Sequence, residues 1–273
     1  MVEHLYPALF ALFIWWLSTG VIIYLDGLPQ HTFKWSMIGA TLILFGSLYG
    51  IAVTADDTTI QGAYLAFTFG LLAWGWQQIS FFMGFVTGPR KEDCPEDCQG
   101  ITRFWYGVQV GLWHDLAIIV AFVAIAAMTW DAANQVGLWT FAVLWWMHQS
   151  AKLNVFFGVR NLNEEFIPEH MAYVRSYLKK RPMNLLFPIS VSVSTIICAF
   201  LFEQSFAADA TPFEAAGYTF LGVMMALAIV EHWFLVLPIP AGKLWQWSLK
   251  SRKPAKQVGL GITAKQFGFF GQG

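Results

Sequence analysis

Seven stretches of this chain are long and apolar enough to cross a bilayer, and nothing else limits its fold as tightly. They lie near residues 6–25, 34–54, 62–86, 104–128, 136–157, 184–202 and 213–237. A hydrocarbon core about 30 Å thick takes about 20 residues of helix. Lipid cannot satisfy free N–H and C=O groups, so runs this continuous must be helical. Charged residues make up only 12% of the chain and hydrophobic ones 57%, against about 25% charged in soluble domains. The expected fold is an all-α polytopic membrane protein, a bundle of seven transmembrane helices. Residues 1–241 read as one domain, and 242–273 as a basic, Gly-rich tail with little order. No basic segment precedes the first apolar run and no small-residue cleavage motif follows it, so the first span is expected to be retained. No low-complexity tract or internal repeat stands out, which argues against transporter folds built from inverted repeats.

The formal net charge is −1, yet the charges are strongly sided. All sixteen Lys and Arg fall in alternate loops: Lys34; Arg90, Lys91 and Arg103; six between residues 148 and 188; and six beyond Pro240. The turns at Asp56-Asp57, Asp131 and Asp209 hold none. The positive-inside rule then predicts an outside (periplasmic) N-terminus and a cytoplasmic C-terminus in a cell inner membrane. Cys94 and Cys98 fall on the cytoplasmic side by this reading, where thiols stay reduced. Their single pair makes neither a disulfide framework nor a zinc site. Gly39, Gly46 and Gly50 on the second span, and Gly107 and Gly111 on the fourth, form small-residue stripes that suit close helix packing.

The connector at 148–188 is the longest polar interruption, and it carries six of the sixteen basic residues and three of the seventeen acids. From 168 to 180 it reads as a surface helix. Pro168 opens it, Glu169 occupies the first turn, Lys179, Lys180 and Arg181 the last, and Pro182 stops it. Met171, Val174 and Leu178 share one stripe, with Tyr177 at its edge. Such a helix lies in the headgroup plane. It is either a plain elbow between spans or a cytoplasmic docking platform built on Arg160, Arg175, Lys179, Lys180 and Arg181. His170 is expected on its solvated face, and His4 and His31 are terminal or loop residues without evident partners.

Ionisable groups inside spans are costly and read as functional by default. Gln78, with Gln77 beside it, His114 with Asp115, and Glu231 with His232 fall roughly 9–15 Å above the connector-side ends of their spans at 1.5 Å per residue. His148 joins them as a weaker member, being close to Lys152 and the interface. Asp115 and Glu231 could pair with either imidazole. Three readings stay open: a hydrogen-bonded cluster that fixes helix register, a transition-metal site using His114, Asp115, Glu231 and His232, or a pigment site with an imidazole on a chlorophyll-type magnesium.

Several motifs resemble the PuhE family, photosynthetic complex assembly proteins of anoxygenic phototrophic bacteria. They are SAKLNVFFGVRNLNEEFIPEH at 150–170, RPMNLLFPISV at 181–191 and EHWFLVLPIP at 231–240. FVTGPR at 85–90, the Trp113-His114 pair and LWTFAVLWW at 138–146 add to the match. The resemblance implies a factor that helps assemble the reaction centre and core light-harvesting complex, or supplies their bacteriochlorophyll. Its partners would be membrane lipids and reaction-centre or light-harvesting subunits, with no nucleic acid. Family members tend to have Glu where this chain has Gln78 and where it has Asp115. The Asp keeps a carboxylate, whereas the Gln removes an anionic ligand. The competing expectation is a membrane-embedded, metal-dependent oxidoreductase of di-iron type acting on a pigment or other lipid-soluble substrate.

Overall fold

Seven helices of 20 to 29 residues dominate the computed structural model, which describes residues 2–252. They are α1 (Val2–Asp26), α2 (Phe33–Val53), α3 (Ile60–Phe82), α4 (Gly100–Met128), α5 (Val136–Phe157), α6 (Leu186–Ser205) and α7 (Pro212–Val236). A short α8 (Gln246–Leu249) follows. Five of them, α1, α2, α4, α6 and α7, have the length and apolarity to cross a membrane. α3 and α5 fall short because Gln77 and Gln78 on the one, and His148, Gln149, Lys152 and Asn154 on the other, dilute their hydropathy. The molecule is therefore an all-helical membrane protein.

α7 is the hub. Half of its most apolar window is buried, against 17–28% in the other four apolar helices, and it packs on α1, α3, α5 and α6. Phe220 of α7 stacks on Phe67 of α3 with ring centroids 4.4 Å apart, and Tyr64 and Phe10 close around the pair. α3 and α5 meet backbone to backbone: a Cβ on Gly70 would stand 2.5 Å from the Gly137 carbonyl oxygen. Other glycines have different uses. Gly107 and Gly111 make room for Phe156 and Lys152, as close packing predicts, but Gly39 and Gly46 have nothing within 4 Å of a Cβ position. The stripe on α2 serves packing only at Gly50, under the Phe69 ring.

Outward faces carry aromatics near both ends, as a lipid surface favours. Trp35 and Trp105 are exposed near the connector, and Tyr6, Tyr49 and Trp130 toward the other end. At that other end the Asn134 amide donates to the carbonyls of Thr54, Asp57 and Gly62, tying the α2–α3 turn to α5. Asp57 accepts from the Thr59 backbone and hydroxyl, which lowers its carboxyl pKa. His4 also has partners there: its Nδ1 lies 3.1 Å from Ser205 Oγ and 3.2 Å from Thr219 Oγ1.

The connector departs from the surface helix expected at 168–180. Glu169–Tyr177 forms 3-10 turns broken at Met171, where φ is −112°. The cause is tertiary. Tyr177 is pulled down so that its hydroxyl takes Arg90 Nε at 2.6 Å and donates to the Glu92 carbonyl at 2.9 Å. Arg175 turns back to the carbonyls of Glu164 and Ile167. Met171 and Tyr177 are buried, and His170 packs on Phe33 rather than facing water. Cys94 and Cys98, expected as free thiols, are joined in a disulfide; the turn between them brings their Cα atoms to 6.0 Å, within bonding range.

The tail does not lose order at Gly242. Residues 241–252 fold back as a strap under α1 and the connector. Trp245 Nε1 donates to the Trp16 carbonyl and Trp16 Nε1 to the Leu244 carbonyl, each at 3.0 Å. Arg252 reaches buried Asp26 at 2.7 Å and the carbonyls of Glu165 and Phe166. The rest of the expected tail lies outside the described residues.

Candidate functional site

A few polar residues of α3, α5 and α7 look into a cavity of about 820 Å³ bounded by α1, α2, α3, α5 and α7. Its walls are mainly apolar and aromatic, with Trp15, Trp74, Trp76 and Phe82 among them. Gln78, His148, Glu231 and His232 all line it. α1 and α2 barely touch, so the cavity is open along one side. Phe166 and Trp245 close its connector end, with Asp26 beside them.

The three intramembrane histidines have distinct surroundings. His232 is 2% exposed; its Nδ1 lies 2.9 Å from the Ala228 carbonyl oxygen and its Nε2 2.9 Å from Ser150 Oγ. A carbonyl only accepts, so Nδ1 carries the proton and Nε2 takes the Ser150 hydroxyl. Both nitrogens are used. His114 is 1% exposed, and its ring packs on Phe81 with neither nitrogen hydrogen-bonded. It stands outside the cavity lining, behind His148, at a centroid distance of 5.5 Å. His148 lies edge-on to Trp74 at 5.4 Å and lines the cavity, and it makes no hydrogen bond among the described residues.

The carboxylates part company. Asp115 accepts from Lys152 at 2.5 Å and from Gln149 at 2.9 Å, on the seam between α4 and α5. Glu231 faces the cavity, which Trp15 also lines. The expected single layer thus divides. Gln78, His148, Glu231 and His232 share the cavity, whereas His114 and Asp115 lie behind it. The Gln78 side-chain nitrogen and the Gln77 side-chain oxygen are buried without partners. Among the described residues no three His, Cys, Asp or Glu side chains stand close enough to hold a metal ion. His114, Asp115, Glu231 and His232 therefore do not assemble one ligand set there.

Sequence reasoning missed Lys152 as the counter-ion of Asp115, Ser150 as the partner of His232, and Asp26 with Arg252. Gln149 and Lys152, three apart on one helix face, were the available signal for the first. The Asp26–Arg252 pair joins residues 226 apart, and no local pattern reveals it.

The basic residues of the connector also divide. Arg160, Lys180 and Arg181 are exposed, whereas Arg175 and Lys179 are half-buried. Arg175 is committed to the connector carbonyls. The Lys179 ammonium is held below its usual pKa, first by Arg103 and also by burial and Arg181. Arg181 packs over Gly158, whose φ of +120° no other residue adopts easily.

No solved structure matches the chain. A family model described as "Protein of unknown function (DUF3623)" matches residues 1–256. The "Uncharacterized 30.4 kDa protein in puhA 5'region" of Rhodobacter capsulatus is 39% identical over 259 residues, covering 92% of this chain and 93% of that one. On both grounds the chain belongs to the DUF3623 family.

Proposed function

We propose that this protein is an assembly factor of the PuhE type, serving the photosynthetic reaction centre and its core light-harvesting complex in the inner membrane. It would handle or deliver bacteriochlorophyll there. The observation that carries the reading is the near full-length relative, whose name places it in the 5′ region of puhA, a photosynthesis gene neighbourhood. An apolar cavity of about 820 Å³ within the bundle supports a lipid-soluble cargo. All seven long helices cross the membrane in this reading, with the N-terminus outside and the connector and C-terminus in the cytoplasm. Arg160, Lys180 and Arg181 are then the cationic face presented to lipid headgroups or to a partner subunit. The oxidoreductase alternative finds no support in the arrangement of ligands among the described residues.

Deleting the gene from a phototroph that carries it should lower or alter absorption from the reaction centre and core antenna. The defect should be restored by the intact gene in trans. Unchanged spectra together with an unchanged yield of purified complex would sink the proposal.

A further inference from the structure

We infer that the cavity binds a flat, lipid-soluble macrocycle carrying its own chelated metal, with His148 as the axial ligand. The inference deepens the proposed handling of a pigment and rests on it for the identity of the macrocycle. The cavity itself supplies the chemistry.

Its volume, about 820 Å³, lies in the upper part of the roughly 300–1,000 Å³ range of ligand cavities. A single headgroup or acyl chain would leave much of it empty. Its walls offer flat faces in Trp15, Trp74 and Trp76. Gly39 on α2 and Gly75 on α3 both line it, and nothing lies within 4 Å of a Cβ on either. Glycine costs helix stability of about 0.5–1 kcal/mol relative to alanine. Packing does not require these two, so the open space itself is what they provide.

The imidazoles decide the class of ligand. His232 has both nitrogens engaged, and His114 lies behind the wall. His148 alone of the three faces the cavity with its nitrogens uncommitted among the described residues. A bare transition-metal ion needs about three or four ligands from protein. No group of three candidate ligands stands together among the described residues. One imidazole can hold only a metal whose other positions arrive already filled, as in a tetrapyrrole. Gln78 lines the same cavity, and its amide nitrogen is buried there without a partner. A rotation of that side chain would offer its N–H to a carbonyl oxygen on the ring edge.

The test uses the full chain purified in mild detergent and titrated with bacteriochlorophyll a and with its metal-free counterpart, bacteriopheophytin a. Absorption and induced circular dichroism report binding. The magnesium pigment should bind about tenfold more tightly, a difference of about 1.4 kcal/mol. His148→Leu should abolish that preference, and added imidazole should restore it in His148→Gly. Gly75→Phe fills the slot and should weaken both pigments by at least about tenfold while helix content and thermal unfolding stay as in the parent. Equal affinity of the parent for the two pigments, or a magnesium preference that survives His148→Leu, overturns the inference. So does displacement of the pigment by equimolar ubiquinone-10, which would assign the cavity to a quinone. A negative titration beside a positive deletion phenotype removes the site and leaves the proposed function standing.

Discussion

At the scale of single residues, neighbours rather than residue type separate the histidines. All three intramembrane imidazoles were legible as one polar layer from depth along the spans. Their separate fates were not. His148 read as the weakest because Lys152 is one turn away, yet the ammonium turns from it to Asp115, leaving the imidazole to the cavity. His170 was misplaced for a similar reason, since a helical wheel assumes a helix that does not form. Its ring packs on Phe33 with a buried, unpartnered Nε2, and Lys91 and Arg252 stand nearby. Burial first, then those cations, lower its pKa, against a backbone hydrogen bond to Phe82 that raises it. The sign follows from linkage: the unfolded chain takes a proton that the folded one resists. Stability contributed by neutral His170 is therefore present above the ordinary histidine range and lost as pH falls through it. Comparing thermal unfolding of the parent and His170→Phe from pH 8 to pH 5 should show the parent losing more. The difference in slope is bounded at about 1.4 kcal/mol per pH unit, one proton's worth. Parallel curves would show that His170 titrates as in water.

At the scale of elements, all seven long helices fall within a few residues of the spans expected from apolar run length. The register of apolar and small residues along them says less, because lipid and core are both apolar. Glycine shows the limit. Gly70 and Gly75 lie five residues apart on α3 and are equivalent in sequence terms. One lets α3 and α5 touch backbone to backbone, and the other faces open space. Gly70→Ala should destabilise the purified protein by about 1–3 kcal/mol through overpacking against a carbonyl that cannot yield. Gly75→Ala should stabilise it by about 0.5–1 kcal/mol through helix propensity. Thermal unfolding in one detergent checks both, and effects of the same sign would contradict the packing described. The connector was not legible for a different reason. Its sequence suits an amphipathic helix, but Tyr177 and Arg175 gain side-chain bonds only if the backbone tightens and kinks.

At the scale of the whole molecule, every basic residue in the described chain lies toward the connector end, a pattern plain in the sequence. The orientation proposed from it is open to a direct test. After mild reduction, membrane-impermeant maleimide should label Cys94, the more exposed of the pair, in inside-out vesicles and not in intact spheroplasts. Cys198 is buried and should stay silent in both. Labelling from the outer face would turn the chain over. The disulfide sharpens the test, because a cytoplasmic location predicts that the pair is a dithiol in growing cells. The strap at 241–252 was illegible, since its bonds to Trp16 and Asp26 join the two extremes of the sequence. Its geometry imposes a timetable on synthesis. α1 leaves the ribosome before the other six long helices and Arg252 is made after all of them, so the floor of the cavity cannot be laid until the whole bundle has been synthesised. Until then the nascent bundle is an unsealed vessel, and its entrance is widest before the strap is in place.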